Sequence, residues 1–120
     1  MTIFDAGILR DMRDRHEVAI RTGRHPDSNV VVWAVAVDDA VYVRSARGAK
    51  GRWYRDLVGG DTATLEAGPS RLAVRATLID DPAAIERVSG EYRRKYGSSP
   101  YLQSVLRPEV VATTLRLKPR

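Results

Sequence analysis

The chain has 120 residues, of which 43% are hydrophobic and 29% charged; that balance excludes a disordered chain and fits one globular domain over residues 1–120. Its formal net charge is +5, and arginine greatly outnumbers lysine. This fits phosphate or carboxylate partners, which the guanidinium fork grips bidentately, and equally a charge kept only for solubility.

In chain order, the first element is a short helix. Asp5 is placed to cap it, and Phe4 with Leu9 fits a hydrophobic staple. Ile8, Leu9 and Met12 share one face, so the helix is expected to cover a sheet. "EVAIRTG" reads as a strand ended by the polar loop "GRHPDSN". Val30–Val37, "VVVWAVAV", is apolar on both faces. A half-buried strand would alternate, so this one is expected to be covered twice, by a barrel interior and by a helix or partner subunit. Asp38 and Asp39 form a turn, and "AVYVRS" returns with Val41 and Val43 on one face and Tyr42 and Arg44 on the other.

"KGRWYRDLV" reads as a helix beginning near Lys50 and ended by Gly59 and Gly60, with Trp53–Leu57 and Tyr54–Val58 as i,i+4 pairs. "DTATLEAG" and "SRLAVRATLI" are strands. "DDPAAIERVSGEYRRKYG" is the strongest helix: Asp81 caps it, Pro82 opens it and Gly97 ends it. Ile85, Val88, Tyr92 and Tyr96 make its apolar stripe. "SSPYLQSVLRP" is irregular or a helical turn, and "EVVATTLRLKP" closes the chain as a strand. About six strands with short links and three helices give an α+β domain built on a closed or partly closed barrel.

The sequence has no cysteine, which excludes disulfides and thiolate chemistry. His16 and His25 are its only imidazoles, stand in no metal-ligand spacing and suggest no Ser-His-Asp arrangement, so no metal site is expected. The first residues lack the pattern of a signal peptide and no apolar run is long enough to span a bilayer, so a cytoplasmic protein with no membrane contact is expected.

The segment "SARGAKGRWYRDL" stands apart. Lys50 and Arg52 at a helix start oppose the helix dipole by a few tenths to about 1 kcal/mol, unless an anion shares the site. Lys50 and Arg52 are therefore candidate anion contacts, next to Arg44 and Ser45 at the strand end, with glycines that let a ligand approach the backbone. The alternative is that the long basic side chains simply splay into water. Trp53 reads either as a core plug or as a flank for a planar ring. Tyr96–Tyr101 spans a helix stop and a polar turn, and reads as a plain connection, a lid or part of an interface.

"VYVRSARGAKGRWYRDL", "EYRRKYG", "SPY" and "ATTLRLKPR" together resemble the bacterial domain-of-unknown-function family 2255. That family is in turn similar to the flavin-binding split barrels typified by pyridoxamine phosphate oxidase and the deazaflavin-dependent nitroreductases. The resemblance implies a six-stranded split β-barrel with peripheral helices, a homodimer, and FMN or a deazaflavin near the subunit interface. It implies an oxidoreductase-like role, with phosphate held at Arg44, Ser45, Lys50 and more loosely at Arg52 and Trp53. The competing reading is a non-catalytic module for a phosphate-bearing metabolite or a nucleic acid. The nucleic-acid version ranks lower, because the basic charge is spread widely and no recognised motif is present.

Overall fold

A computed structural model describes residues 3–120. Seven strands form one sheet: β1 (Val18–Thr22), β2 (Val30–Val32), β3 (Ala34–Val37), β4 (Ala40–Val43), β5 (Ala63–Ala67), β6 (Ser70–Leu78) and β7 (Leu115–Pro119). Their order is β2-β1-β5-β6-β7-β4-β3, and every neighbouring pair is antiparallel. The two outermost strands, β2 and β3, are consecutive in sequence and separated only by Trp33. The sheet therefore curls until its ends meet at one residue, giving a nearly closed antiparallel barrel of the split-barrel type.

Val30–Val37 reads in sequence as one strand, but the structure breaks it at Trp33. The cause lies in the long helix α3 (Pro82–Tyr96), which supplies polar groups to this backbone. Tyr92 donates to the Trp33 carbonyl at 2.7 Å, and Lys95 Nζ donates to the Ala34 carbonyl at 2.6 Å. The Trp33 ring stacks on Tyr96 with centroids 4.1 Å apart. Carbonyls bonded to helix side chains need no strand partner, so the ladder stops there without leaving buried orphans.

The expected helix starts and stops are present. Asp5 accepts from the Ile8 amide to cap α1 (Ala6–Asp14), and Phe4 and Leu9 join the same core cluster. Asp81 accepts from Ala84 to cap α3, and Gly97 ends it. The barrel interior takes Ile20, Ala34, Ala36, Val41, Val43, Leu65, Val74 and Leu117, together with Trp53 and Leu57 of α2 (Arg52–Val58). A second cluster under α3 takes Val35, Tyr42, Val88, Tyr92 and Tyr96. The second apolar face of β3 is thus covered by a helix of the same chain.

Two local expectations are corrected. The helix of "KGRWYRDLV" starts at Arg52, because a 3-10 turn over Gly48–Lys50 and then Gly51 as N-cap precede it. The last strand starts at Leu115, because Pro108 opens a fourth helix, α4 (Pro108–Val111). Thr113 and Thr114 end that helix by donating their hydroxyls to the Val110 and Val111 carbonyls at 2.6 and 2.7 Å.

Candidate functional site

A cleft of about 960 Å3 opens where the barrel is split. It is lined by Val30–Trp33, the run that joins β2 to β3, and by the end of β4, the 3-10 turn and the first turns of α2. The loop after β1 brings His25 and Ser28, and the turn after α3 brings Tyr101, Ser104 and Val105. All five residues singled out from the sequence, Arg44, Ser45, Lys50, Arg52 and Trp53, border this one cavity.

Their surroundings differ. Arg44 is 3% exposed. Its Nε donates to Thr114 Oγ1, one terminal nitrogen to the Val105 carbonyl, and the other to both Ser89 Oγ and the Ile85 carbonyl. Four of its five N–H donors are therefore spent inside the fold, and the guanidinium lies 5.2 Å from the centre of the Tyr92 ring. Burial pushes its pKa down, opposed by Tyr92 and Glu86 and reinforced by Arg93. Arg44 ties β4 to α3 behind the cleft, with one N–H left over.

Ser45 is 1% exposed. Its amide donates to Thr113 Oγ1, yet among the described residues its hydroxyl has no hydrogen-bond partner. Gly51 packs so closely that an ideal Cβ there would stand 2.3 Å from Ser45 Oγ. Lys50 and Arg52 are exposed on the cleft wall, and Arg52 donates to Ser28 Oγ at 3.2 Å. Arg47 and Arg55 border the same space. Among the described residues, none of Arg47, Lys50, Arg52 or Arg55 joins an ion pair. Trp53 is 9% exposed, so it belongs to the core while one edge reaches the cavity. Val31 and Tyr101 are 61% and 71% exposed on the rim.

The sequence reading did not find a polar chain at the same cavity. Asp56 Oδ2 accepts from Thr22 Oγ1 at 2.7 Å and lies 2.6 Å from His25 Nδ1. Burial alone pushes the Asp56 carboxyl up, but hydrogen bonds from Thr22 and His25 and the nearby charges of His25 and Arg24 outweigh it. The net effect holds the carboxyl below its ordinary value. One clue was available: Asp56 falls between Trp53 and Leu57 on the apolar face of its helix, and a carboxylate buried there needs partners. Among the described residues no group of three or more His, Asp and Glu is arranged to hold a metal ion, and no helix is long and apolar enough to cross a membrane.

The fold is similar to that of the solved structure titled "Crystal structure of Campylobacter jejuni ChuZ", with a TM-score of 0.64 at 11% sequence identity. The match covers 93% of this chain and 50% of ChuZ, so the chain spans about half the length of that protein. At that identity the likeness concerns the split-barrel fold alone. No curated protein matches the sequence significantly. The family profile described as "Uncharacterized protein conserved in bacteria (DUF2255)" matches residues 9–117, and the chain belongs to that family.

Proposed function

We propose that the cleft binds a planar, phosphate-bearing cofactor of the flavin class, FMN or a deazaflavin. The observation that carries this reading is the composition of one cavity. Cations without ion-pair partners and an orphaned hydroxyl line one wall, and exposed apolar Val31 and Tyr101 stand on its rim. Lys50 and Arg52 would hold the phosphate, and Ser45 would supply a hydroxyl that has no other acceptor. Trp53 and Val31 would border the ring. When bound, such a cofactor supplies hydride chemistry, and the protein's part is position and electrostatics. A cavity of this size is at the upper end of the usual range for small-molecule sites, roughly 300–1,000 Å3. The same reading carries a homodimer, with the exposed rim of the cleft facing a second copy.

A phosphate-bearing metabolite without a flavin ring would use the same cations, and the test separates the two. FMN, riboflavin and inorganic phosphate are titrated while flavin fluorescence and protein melting are followed. The flavin reading expects FMN to bind more tightly than riboflavin, and Lys50→Ala to weaken FMN by about tenfold, the worth of one charge-assisted contact. Binding of phosphate without any preference for FMN selects the metabolite reading. No binding of any of the three overturns both. Trp53→Ala is the control for a core residue, expected to cost roughly 3–5 kcal/mol with or without ligand.

A further inference from the structure

The Thr22–Asp56–His25 chain has no part in the reading above, although His25 borders the same cleft. Its parts come from three places: Thr22 from the end of β1, His25 from the following loop and Asp56 from α2. The carboxylate is 6% exposed and ionised, so it only accepts hydrogen bonds. Thr22 therefore donates its hydroxyl hydrogen to Oδ2, and His25 donates from Nδ1. That fixes the imidazole: Nδ1 carries a hydrogen, and any change of protonation occurs at Nε2. No hydrogen bond within the described residues reaches Nε2, and the His25 side chain is 36% exposed at the cavity.

The surrounding charges give this nitrogen a consequence. Arg52 lies one helical turn before Asp56 on α2 and bonds to Ser28, whose amide in turn donates to the His25 carbonyl. Arg52 and the imidazole are thus tied to the same loop and to the same helix. Arg55 on α2, Arg47 and Lys50 of the 3-10 turn, and Arg44 from the end of β4 add positive charge around the cavity. Arg24, on the loop itself, adds more. Asp56 and Glu17 are the acidic groups facing the space, and Asp61 binds the Arg24 amide at the loop base. An anion entering the cleft meets a hydrogen-bond donor at Nε2 only when that nitrogen carries a proton; a neutral Nε2 offers it a lone pair, which repels it.

Resting on the cleft reading, we propose that His25 is a proton-dependent contact of this site, so that a dianionic phosphate monoester binds with uptake of a proton at Nε2. Asp56 is the positioning residue, and Thr22 fixes Asp56. Binding is then tighter on the acid side of neutrality. A His25 that merely tethers its loop would affect stability without exchanging a proton on binding.

The test uses calorimetry with the full chain in two buffers of different ionisation enthalpy near pH 7. Sulfate serves as a dianion whose own charge is constant there, and FMN as the second probe. Proton uptake approaching one per anion is expected in the wild type and is lost in His25→Gln. The affinity gain on going from pH 8 to pH 6, expected at up to about tenfold, disappears in the same variant. Ring nitrogen NMR at pH 8 should find His25 protonated at Nδ1 and bare at Nε2, with His16 as the internal reference. Sulfate or FMN binding with no proton uptake, or uptake unchanged in His25→Gln, overturns this inference while leaving the cleft reading intact. Failure of both probes to bind the wild type overturns the cleft reading and this one with it. Asp56→Asn should abolish the proton linkage too; if that variant does not fold, His25→Gln alone decides.

Discussion

Replacing Ser45 by alanine separates folding from binding at one atom. The Ser45 hydroxyl is buried, 1% exposed as a residue, and unpartnered. A hydroxyl taken from water without a compensating hydrogen bond costs about 1–3 kcal/mol in proteins. Removing it deletes one small atom and leaves the Ser45 amide bond to Thr113 untouched. Ser45→Ala is therefore expected to raise stability by about 1 kcal/mol, or about 4 °C in Tm for a domain of this size. Gly51 provides an internal check. Its backbone, at φ −60° and ψ 131°, is open to any residue, so the obstacle to a side chain there is Ser45 Oγ at 2.3 Å. Gly51→Ala alone should cost about 1–3 kcal/mol through overpacking, and most of that should return in the Ser45→Ala background.

The binding arm runs the other way. If the orphaned hydroxyl serves a ligand phosphate, Ser45→Ala loses about tenfold in FMN affinity while the free protein gains stability. Urea unfolding of the four variants of the cycle, with and without FMN, measures both. A destabilised Ser45→Ala would mean that the hydroxyl has a partner, and the geometry behind the argument would be wrong. A stabilised variant with unchanged FMN affinity would remove Ser45 from the site.

Lys95 sets a pH dependence. Burial pushes its pKa down to about 8, with Glu91, Asp14 and Asp11 pulling up and Arg94 pushing further down. The folded value lies below the unfolded one, so between them the unfolded state binds more protons and stability rises with pH. From pH 8 to 9.5 the wild type should gain about 1 kcal/mol relative to Lys95→Met, after allowance for partial exposure. Above pH 10 the buried Tyr92 and Tyr96 phenols, pushed up by burial, act in the opposite sense, so the difference between the two proteins is the quantity to measure by urea midpoint. A flat difference would show that the bonds from Lys95 to the Met12 and Ala34 carbonyls offset its burial. The proposed homodimer predicts a sedimenting species near twice the 13.3 kDa chain mass at micromolar concentration; a strict monomer refutes it.

Elements whose signals are local were legible in the sequence. Asp5 and Asp81 cap helices because their side chains bond within three residues, and Val41 and Val43 fall in the barrel cluster while Tyr42 packs under α3, to which Arg44 also bonds, as a period of two requires. What was not legible depends on contacts far apart in sequence. The break at Trp33 is made by Tyr92 and Lys95, about 60 residues away. Arg44 reads as a free cation next to a loop, and only Thr114, Val105, Ile85 and Ser89 show that most of its donors are taken. His25 and Asp56, 31 residues apart, meet only because β1 packs beside α2.

The same break explains where the cleft lies. A fully closed barrel has no free strand edge and no groove between strands. Here α3 draws the Trp33 and Ala34 carbonyls to itself, so β2 pairs with β1 alone and its outer edge joins no other strand. That edge carries Val31, exposed at 61%, and it faces the end of β4, where the run from Arg44 to Arg52 begins. An apolar strand edge and a cationic turn thus border one cavity; among the described residues the edge joins no other strand and the turn's cations join no ion pair. Tyr92 and Lys95 of α3 thus bear on the site through the backbone carbonyls of Trp33 and Ala34.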